Sequence, residues 1–432
     1  MIVRRSLQKL DVRALMPFAL LLALLMVFIA GAAEAISVYV VYYLSLMTLL
    51  ALVFFQLKNS LALVPLYFLI YIGIGALNIS SWRGEISVET IQLYFWGMAL
   101  LVLPLLLFKN DKQVYSGEKI VLVRKNVVMI IWLHLILAWA ATVYVYGTIG
   151  FVALDQQLRF RIPTALAYVI RSTLPLVAFL PILKFRRNKL AVFLLAALLP
   201  SFLIGFRGVA LTGVFAFVFV WAIYNKTAVS RRSIFLAVLV GLFIIYFGFF
   251  ARRAEGGSLA SADLIIAHYF ETDEFWVYML LPLYLALRET IGITSMIIDG
   301  GLSNDVNEYP LFVADLYTVF PGGAVAGGQS LGDIIGRVDD GGLTPGILGG
   351  VYIDYGVAGL SVFFFLGLLL GYAFYRAKRI PVLLPVYAVI LSQFFHLMHR
   401  GFLKPEYFTF IAVAFFYSAL ISFGKSRRHA GR

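Results

Sequence analysis

Twelve apolar runs, each close to the length of a bilayer crossing, punctuate the chain at residues 14–33, 37–56, 60–77, 88–108, 127–147, 164–183, 190–206, 208–225, 233–251, 357–375, 382–398 and 402–423. A hydrocarbon core about 30 Å thick takes about 20 apolar residues in a helix. Inside lipid every backbone polar group must be paired within the protein, which leaves helices for runs of this length. Hydrophobic residues make up 62% of the chain and charged ones 13%, against about 45–50% and about 25% in soluble domains. The sequence therefore predicts an all-α, polytopic helical membrane protein with about 12 transmembrane helices and one large structured outer-face (periplasmic) loop. A soluble, disordered or fibrous chain is excluded. Met1 to Ala35 has the basic start, apolar run and small residues of a signal peptide. The run is span-length and a second follows at once, so it reads as the first helix.

An even number of spans puts both termini on one side. With both in the cytoplasm, 24 of the 35 lysines and arginines fall on inside segments, among them Arg4, Arg5, Lys119, Lys189, Arg231, Arg376 and Arg428. Of the acids only Asp11, Asp111 and Glu118 do. This is the positive-inside pattern. It accounts for the net charge of +13 and removes the argument for nucleic acid as a partner.

The plan divides into helices one to nine over 1–251, the large outer loop over 252–356, and the last three helices with a cytoplasmic tail over 357–432. The loop holds 14 of the 22 acidic residues. Its piece Phe275 to Ile298 is apolar and aromatic and predicts helices lying at the membrane surface or dipping into it. Glycines then cluster at 321–328 and 339–350, turns of the kind that let backbone approach a ligand closely. A long structured loop on a compact scaffold is where function concentrates.

Arginines on the predicted outer side form the candidate site. Arg207 stands at the tip of a tight hairpin beside Gly208, where the bland alternative is a charge reaching water. Arg252 and Arg253 follow the ninth span directly; they form an anion clamp or complement the helix dipole. Arg400 shares one helix face with Gln393 and His396, and such a stripe faces a bundle interior or a wet cavity. Arg171 lies within the sixth span, where a charge marks a pathway or a buried pair. Arg288 and Arg337 lie in the loop, and Arg159 and Arg161 read as interface anchors. Lys404 is the one outer lysine. Guanidinium forks bind phosphate and carboxylate in bidentate fashion, so an anionic headgroup such as a pyrophosphate fits this set.

The chain has no cysteine and no P-loop, HExxH, GxSxG or CxxC pattern. His134, alone in a span, reads as a packing residue. His268, His396 and His399 remain for an outer site, without metal-ligand spacing to acids. The expectation is chemistry with no metal, nucleotide or other cofactor.

SFLIGFRGVALTGVFAFVFVW at 201–221, FWVYMLLPLYLAL at 275–287 and LGDIIGRVDDGGLTPGILGGVYIDYGVAGLSVFFFLGLLLGYAFYRA at 331–377 resemble bacterial oligosaccharide repeat-unit polymerases. These form the O-antigen (Wzy-type) polymerase family, membrane glycosyltransferases of the GT-C-like class. The plan of many spans with one large outer loop before the last three is similar. The resemblance implies an enzyme of the bacterial inner membrane that polymerises repeat units into O-antigen or capsule-type polysaccharide. Donor and acceptor are undecaprenyl-pyrophosphate-linked oligosaccharides. The acceptor hydroxyl attacks the donor's anomeric carbon and lipid pyrophosphate leaves, without metal. A chain-length-regulating membrane co-polymerase is the implied partner beside the lipid bilayer. On this resemblance Arg207, Arg253 and Arg400 hold the pyrophosphate, with Arg252, Arg171 and Arg288 as second choices. His399, His268, Asp354 and Glu271 are candidates for the proton acceptor, and no spacing chooses among them. The alternatives are an O-antigen ligase and a flippase or transporter of lipid-linked glycans.

Overall fold

A computed structural model describes residues 38–56, 60–77, 82–108, 125–153, 158–159, 161–183, 185–224, 275–305, 308–319, 325–336 and 343–429. Every regular element among them is a helix. In chain order these are α1 (Val38–Gln56), α2 (Leu63–Gly75), α3 (Val88–Leu105), α4 (Lys125–Thr148), α5 (Thr164–Arg171), α6 (Thr173–Phe179), α7 (Arg187–Leu203) and α8 (Arg207–Tyr224). There follow α9 (Phe275–Asp299), α10 (Leu311–Tyr317), α11 (Gly327–Ile335), α12 (Gly346–Tyr355), α13 (Ser361–Arg379), α14 (Leu384–Arg400) and α15 (Pro405–His429). They fall into two compact units. The first is drawn from Met1–Asp111, Ile265–Tyr372 and Leu397–Pro405, the second from Lys112–Leu264, Ala373–His396 and Glu406–Arg432.

The solvent these helices suit is legible on α4. Ile131, Leu135, Ala138, Thr142 and Val145 recur at helical spacing and are buried, while Met129, Leu133, Ile136, Leu137, Val143 and Tyr144 on the other side are exposed. A helix apolar on both its packed and its open face belongs in lipid. Six helical stretches among the described residues are long and apolar enough to cross a membrane: Val88–Phe108, Val127–Thr148, Thr164–Ile182, Gly346–Arg379, Pro381–Arg400 and Pro405–Ser422. Ser60–Gly75, Asn188–Leu203 and Gly208–Tyr224 are apolar but shorter. The expected spans at 14–33 and 233–251 lie outside the described residues.

In the first unit α9 packs on α2 and α12, and α1 packs on α3. The region expected to form helices at the membrane surface or dipping into it is one helix of 25 residues. Tyr284, Leu285, Ile291, Ile293, Ile297 and Ile298 of it are buried. Ile293 and Ile297 form a core with Leu311, Leu331, Leu343, Ile353 and Phe402. The glycine-rich stretch at 346–350 is helical rather than a run of turns. Gly350 lies so close to Gly401 that a Cβ would stand 3.3 Å from its Cα, so the small residues serve helix contact. The expected span at 357–375 is the second part of the longer stretch Gly346–Arg379, which a 3-10 turn at Gly356–Leu360 interrupts.

The second unit is built around a broken helix. Thr164–Ile182 is one apolar stretch, yet α5 stops at Arg171 and α6 restarts at Thr173. Pro175 explains the break: it has no N–H for the carbonyl of Arg171, and its ring crowds that carbonyl. Hydroxyls occupy the disturbed turn. Ser172 Oγ donates to Val169 O at 2.7 Å, and Thr173 Oγ1 lies 2.7 Å from Ala197 O. Such side chains are what allows a proline break within a membrane span.

Candidate functional site

Helix α14 ends at Arg400 because Gly401 is left-handed (φ 84°) and its N–H donates to Leu397 O at 2.9 Å. Glycine adopts that conformation without a Cβ clash. His399 and Arg400 are thereby fixed on the last turn. His399 Nδ1 lies 3.4 Å from the Tyr71 hydroxyl on α2 and 3.3 Å from the Thr290 hydroxyl on α9. Thr290 has one hydroxyl proton, which points to Ala286 O at 3.2 Å. Tyr71 meets the imidazole edge-on at 6.3 Å and stacks on Tyr67 at 5.7 Å. Beside His399, Arg400 Nε is buried with no hydrogen-bond partner among the described residues. Leaving a buried donor unpaired is costly, and an oxyanion is the partner a guanidinium N–H binds most strongly.

The second unit holds a separate ionisable cluster. Arg171 Nη1 donates to Glu406 Oε2, and Nε donates to Ala167 O at 3.1 Å. The guanidinium lies over Phe206 at 4.3 Å and Tyr168 at 5.0 Å. The other Glu406 oxygen is 3.6 Å from His396 Nδ1. One turn back on α14, Gln393 Oε1 is buried and unpaired among the described residues. His134 is not a mere packing residue: its ring nitrogens sit 2.7 Å from Tyr417 Oη and 2.7 Å from Ser172 Oγ.

Three expected site residues have other partners. Arg288 is fully buried, its donors directed at the carbonyls of Gly75, Leu77, Trp82 and Gly84. It ties the turn before α3 to α9. Asp354 accepts from Leu311 N at 2.8 Å, Phe312 N at 2.7 Å and Asn304 Nδ2 at 2.8 Å. Both its oxygens anchor the start of α10. Arg171 is the buried pair of the two readings, matched by Glu406. Arg207 is the first residue of α8. His268, Glu271, Arg252, Arg253 and Arg337 lie outside the described residues. Sequence reasoning gave no role to Tyr71, Thr290 or Glu406. Glu406 carried a usable signal, an acid at the head of an apolar span that must find a partner; the other two carried none.

Among the described residues no group of three or more His, Cys, Asp or Glu is placed to hold a metal ion. The fold and these buried polar groups define a helical membrane protein. No protein-family profile, curated protein or solved structure matches the chain.

Proposed function

We propose that the protein is a multi-pass glycosyltransferase of the bacterial inner membrane, with both termini in the cytoplasm. It polymerises oligosaccharide repeat units carried on undecaprenyl pyrophosphate at the outer face, with a chain-length-regulating co-polymerase as partner. One observation carries the reading: Arg400 Nε is buried and has no hydrogen-bond partner among the described residues, and it stands beside His399 on one helix turn. Arg400 holds the pyrophosphate oxygens of the donor. His399 takes the proton of the acceptor hydroxyl. As the new glycosidic bond forms at the anomeric carbon, the bond to the pyrophosphate oxygen breaks, and the lipid pyrophosphate leaves with the electron pair. The basic residues crowded on the predicted inner segments support the assignment of faces.

The test uses purified protein with lipid-pyrophosphate-linked repeat units from its own locus, no nucleotide, and EDTA present. Wild type is expected to give a ladder of products on a gel. Arg400→Ala should lower kcat by about 10²-fold or more, the usual cost of removing one oxyanion donor. The absence of a ladder with folded protein and cognate substrate overturns the reading.

A second reading, translocation of the same glycolipid, is favoured by the ionisable cluster Arg171–Glu406–His396 within apolar spans. Flux of labelled lipid-linked glycan in liposomes, unaffected by Arg400→Ala, would select it.

A further inference from the structure

Tyr309 and Tyr317 flank the short helix α10 and stack on one another, ring centroids 4.6 Å apart and planes inclined by 22°. Each is 40% exposed. Two large rings held in register in the open are unusual, since burial in a core would take more of their apolar surface out of water. Their support is rigid. Asn304 Nδ2 donates to Tyr309 O at 3.0 Å and to Asp354 Oδ1 at 2.8 Å. Asp354 in turn holds the first two amides of α10, and Phe312 O accepts from Leu403 N at 2.8 Å. The pair is therefore a fixed ledge on the first unit, not a loop tip.

The surroundings decide what the ledge meets. Tyrosines at this height also suit a membrane interface. Here, however, Ser303, Asp305 and Glu308 are exposed directly before Tyr309. Two carboxylates taken into a lipid interface would lose their hydration, and the hydrogen bond that Asp305 accepts from the Ser303 hydroxyl replaces little of it. Toward a sugar the same groups are assets. An ionised carboxylate is a pure acceptor for hydroxyl donors, and the negative face of an aromatic ring attracts the slightly positive C–H face of a pyranose.

We infer that the Tyr309–Tyr317 ledge is a carbohydrate subsite that stacks a sugar ring and accepts its hydroxyls on Asp305 and Glu308. Its ligand is a neutral oligosaccharide, the glycan part of a lipid-linked substrate, and that identity rests on the glycan-transfer reading. Neither tyrosine is assigned to the chemistry, so the ledge holds chain rather than reacting atoms.

The probe is the oligosaccharide released by mild acid from the producing cell's own lipid-linked pool, added to full-length protein in detergent. Saturation-transfer NMR should show transfer to ring-face protons with wild type. Replacing both tyrosines by alanine should weaken binding by about tenfold or more, whereas Tyr309→Phe with Tyr317→Phe should keep it within about threefold. In the ladder assay the alanine pair should raise KM and leave kcat unchanged. Absence of transfer with wild type, or unchanged binding in the alanine pair, overturns the subsite. So does quenching of a fluorophore at Tyr309→Cys by brominated lipid in nanodiscs, which would make the ledge a lipid anchor. A wild type that binds the oligosaccharide yet makes no ladder leaves the subsite standing and removes the polymerisation reading instead.

Discussion

Arg171 shows how a single residue can announce a partner without naming it. A charge inside an apolar span predicts either a pathway or a pair. The structure supplies the pair, Glu406, 235 positions further along the chain. Both side chains are buried, so removing one strands the other. Arg171→Met or Glu406→Leu alone should cost about 3–5 kcal/mol of stability, and the double variant should recover most of it. Thermal unfolding in detergent, run as a double-mutant cycle, checks this. A loss in the double variant equal to the sum of the two single losses would mean that the pair is not coupled. The translocation reading makes a further demand, that the double variant lose flux although it regains stability. His134 teaches the same lesson. A lone histidine on an apolar helix says nothing of Tyr417 and Ser172, which stand 283 and 38 residues away. Buried hydrogen bonds between distant segments are invisible to local pattern, whereas a buried charge at least announces that a partner exists.

At the scale of elements, Asp354 ties α12 to α10 through two backbone amides. Asp354→Ala should destabilise α10 by about 1–2 kcal/mol, as for loss of a helix cap. Hydrogen exchange at Leu311 and Phe312 should rise, with little change elsewhere. If Asp354 were instead the proton acceptor, kcat would collapse with exchange at those amides unchanged. Helices themselves were largely legible in the sequence. The expected runs at 37–56, 88–108 and 127–147 correspond to Val38–Gln56, Val88–Phe108 and Val127–Thr148, because the apolar length of a span is a local property. Two elements were not. The break at Ser172 sits inside unbroken hydropathy, and only the offset from Arg171 to Pro175 betrays it. The piece Phe275 to Ile298 is expected at the membrane surface, or dipping into it, because it is apolar and aromatic. In the structure Arg288 is consumed by four carbonyls, and Glu289 accepts two hydrogen bonds from Arg83, each at 2.7 Å. The charges therefore face a turn of the protein rather than water.

For the whole molecule, the proposed chemistry depends on which way round the chain crosses the membrane, and the sequence makes this testable with little background. The chain contains no cysteine, so a single introduced thiol is the only one present. Ser303 lies in the segment assigned to the outer face, Lys189 in one assigned to the cytoplasm, and both side chains are exposed. A membrane-impermeant maleimide applied to intact cells, with the outer membrane opened, should label Ser303→Cys at once. It should label Lys189→Cys only after the inner membrane is breached. The expectation rests on charge. Moving a lysine- and arginine-rich segment across against the membrane potential is worth about 2.3 kcal/mol per charge per 100 mV, and 24 such residues fall on the predicted inner segments. Early labelling of Lys189→Cys with Ser303→Cys protected would invert the topology. Arg400 and His399 would then face the cytoplasm, where flipped lipid-linked acceptors are absent, and glycan transfer at the outer face would no longer be tenable.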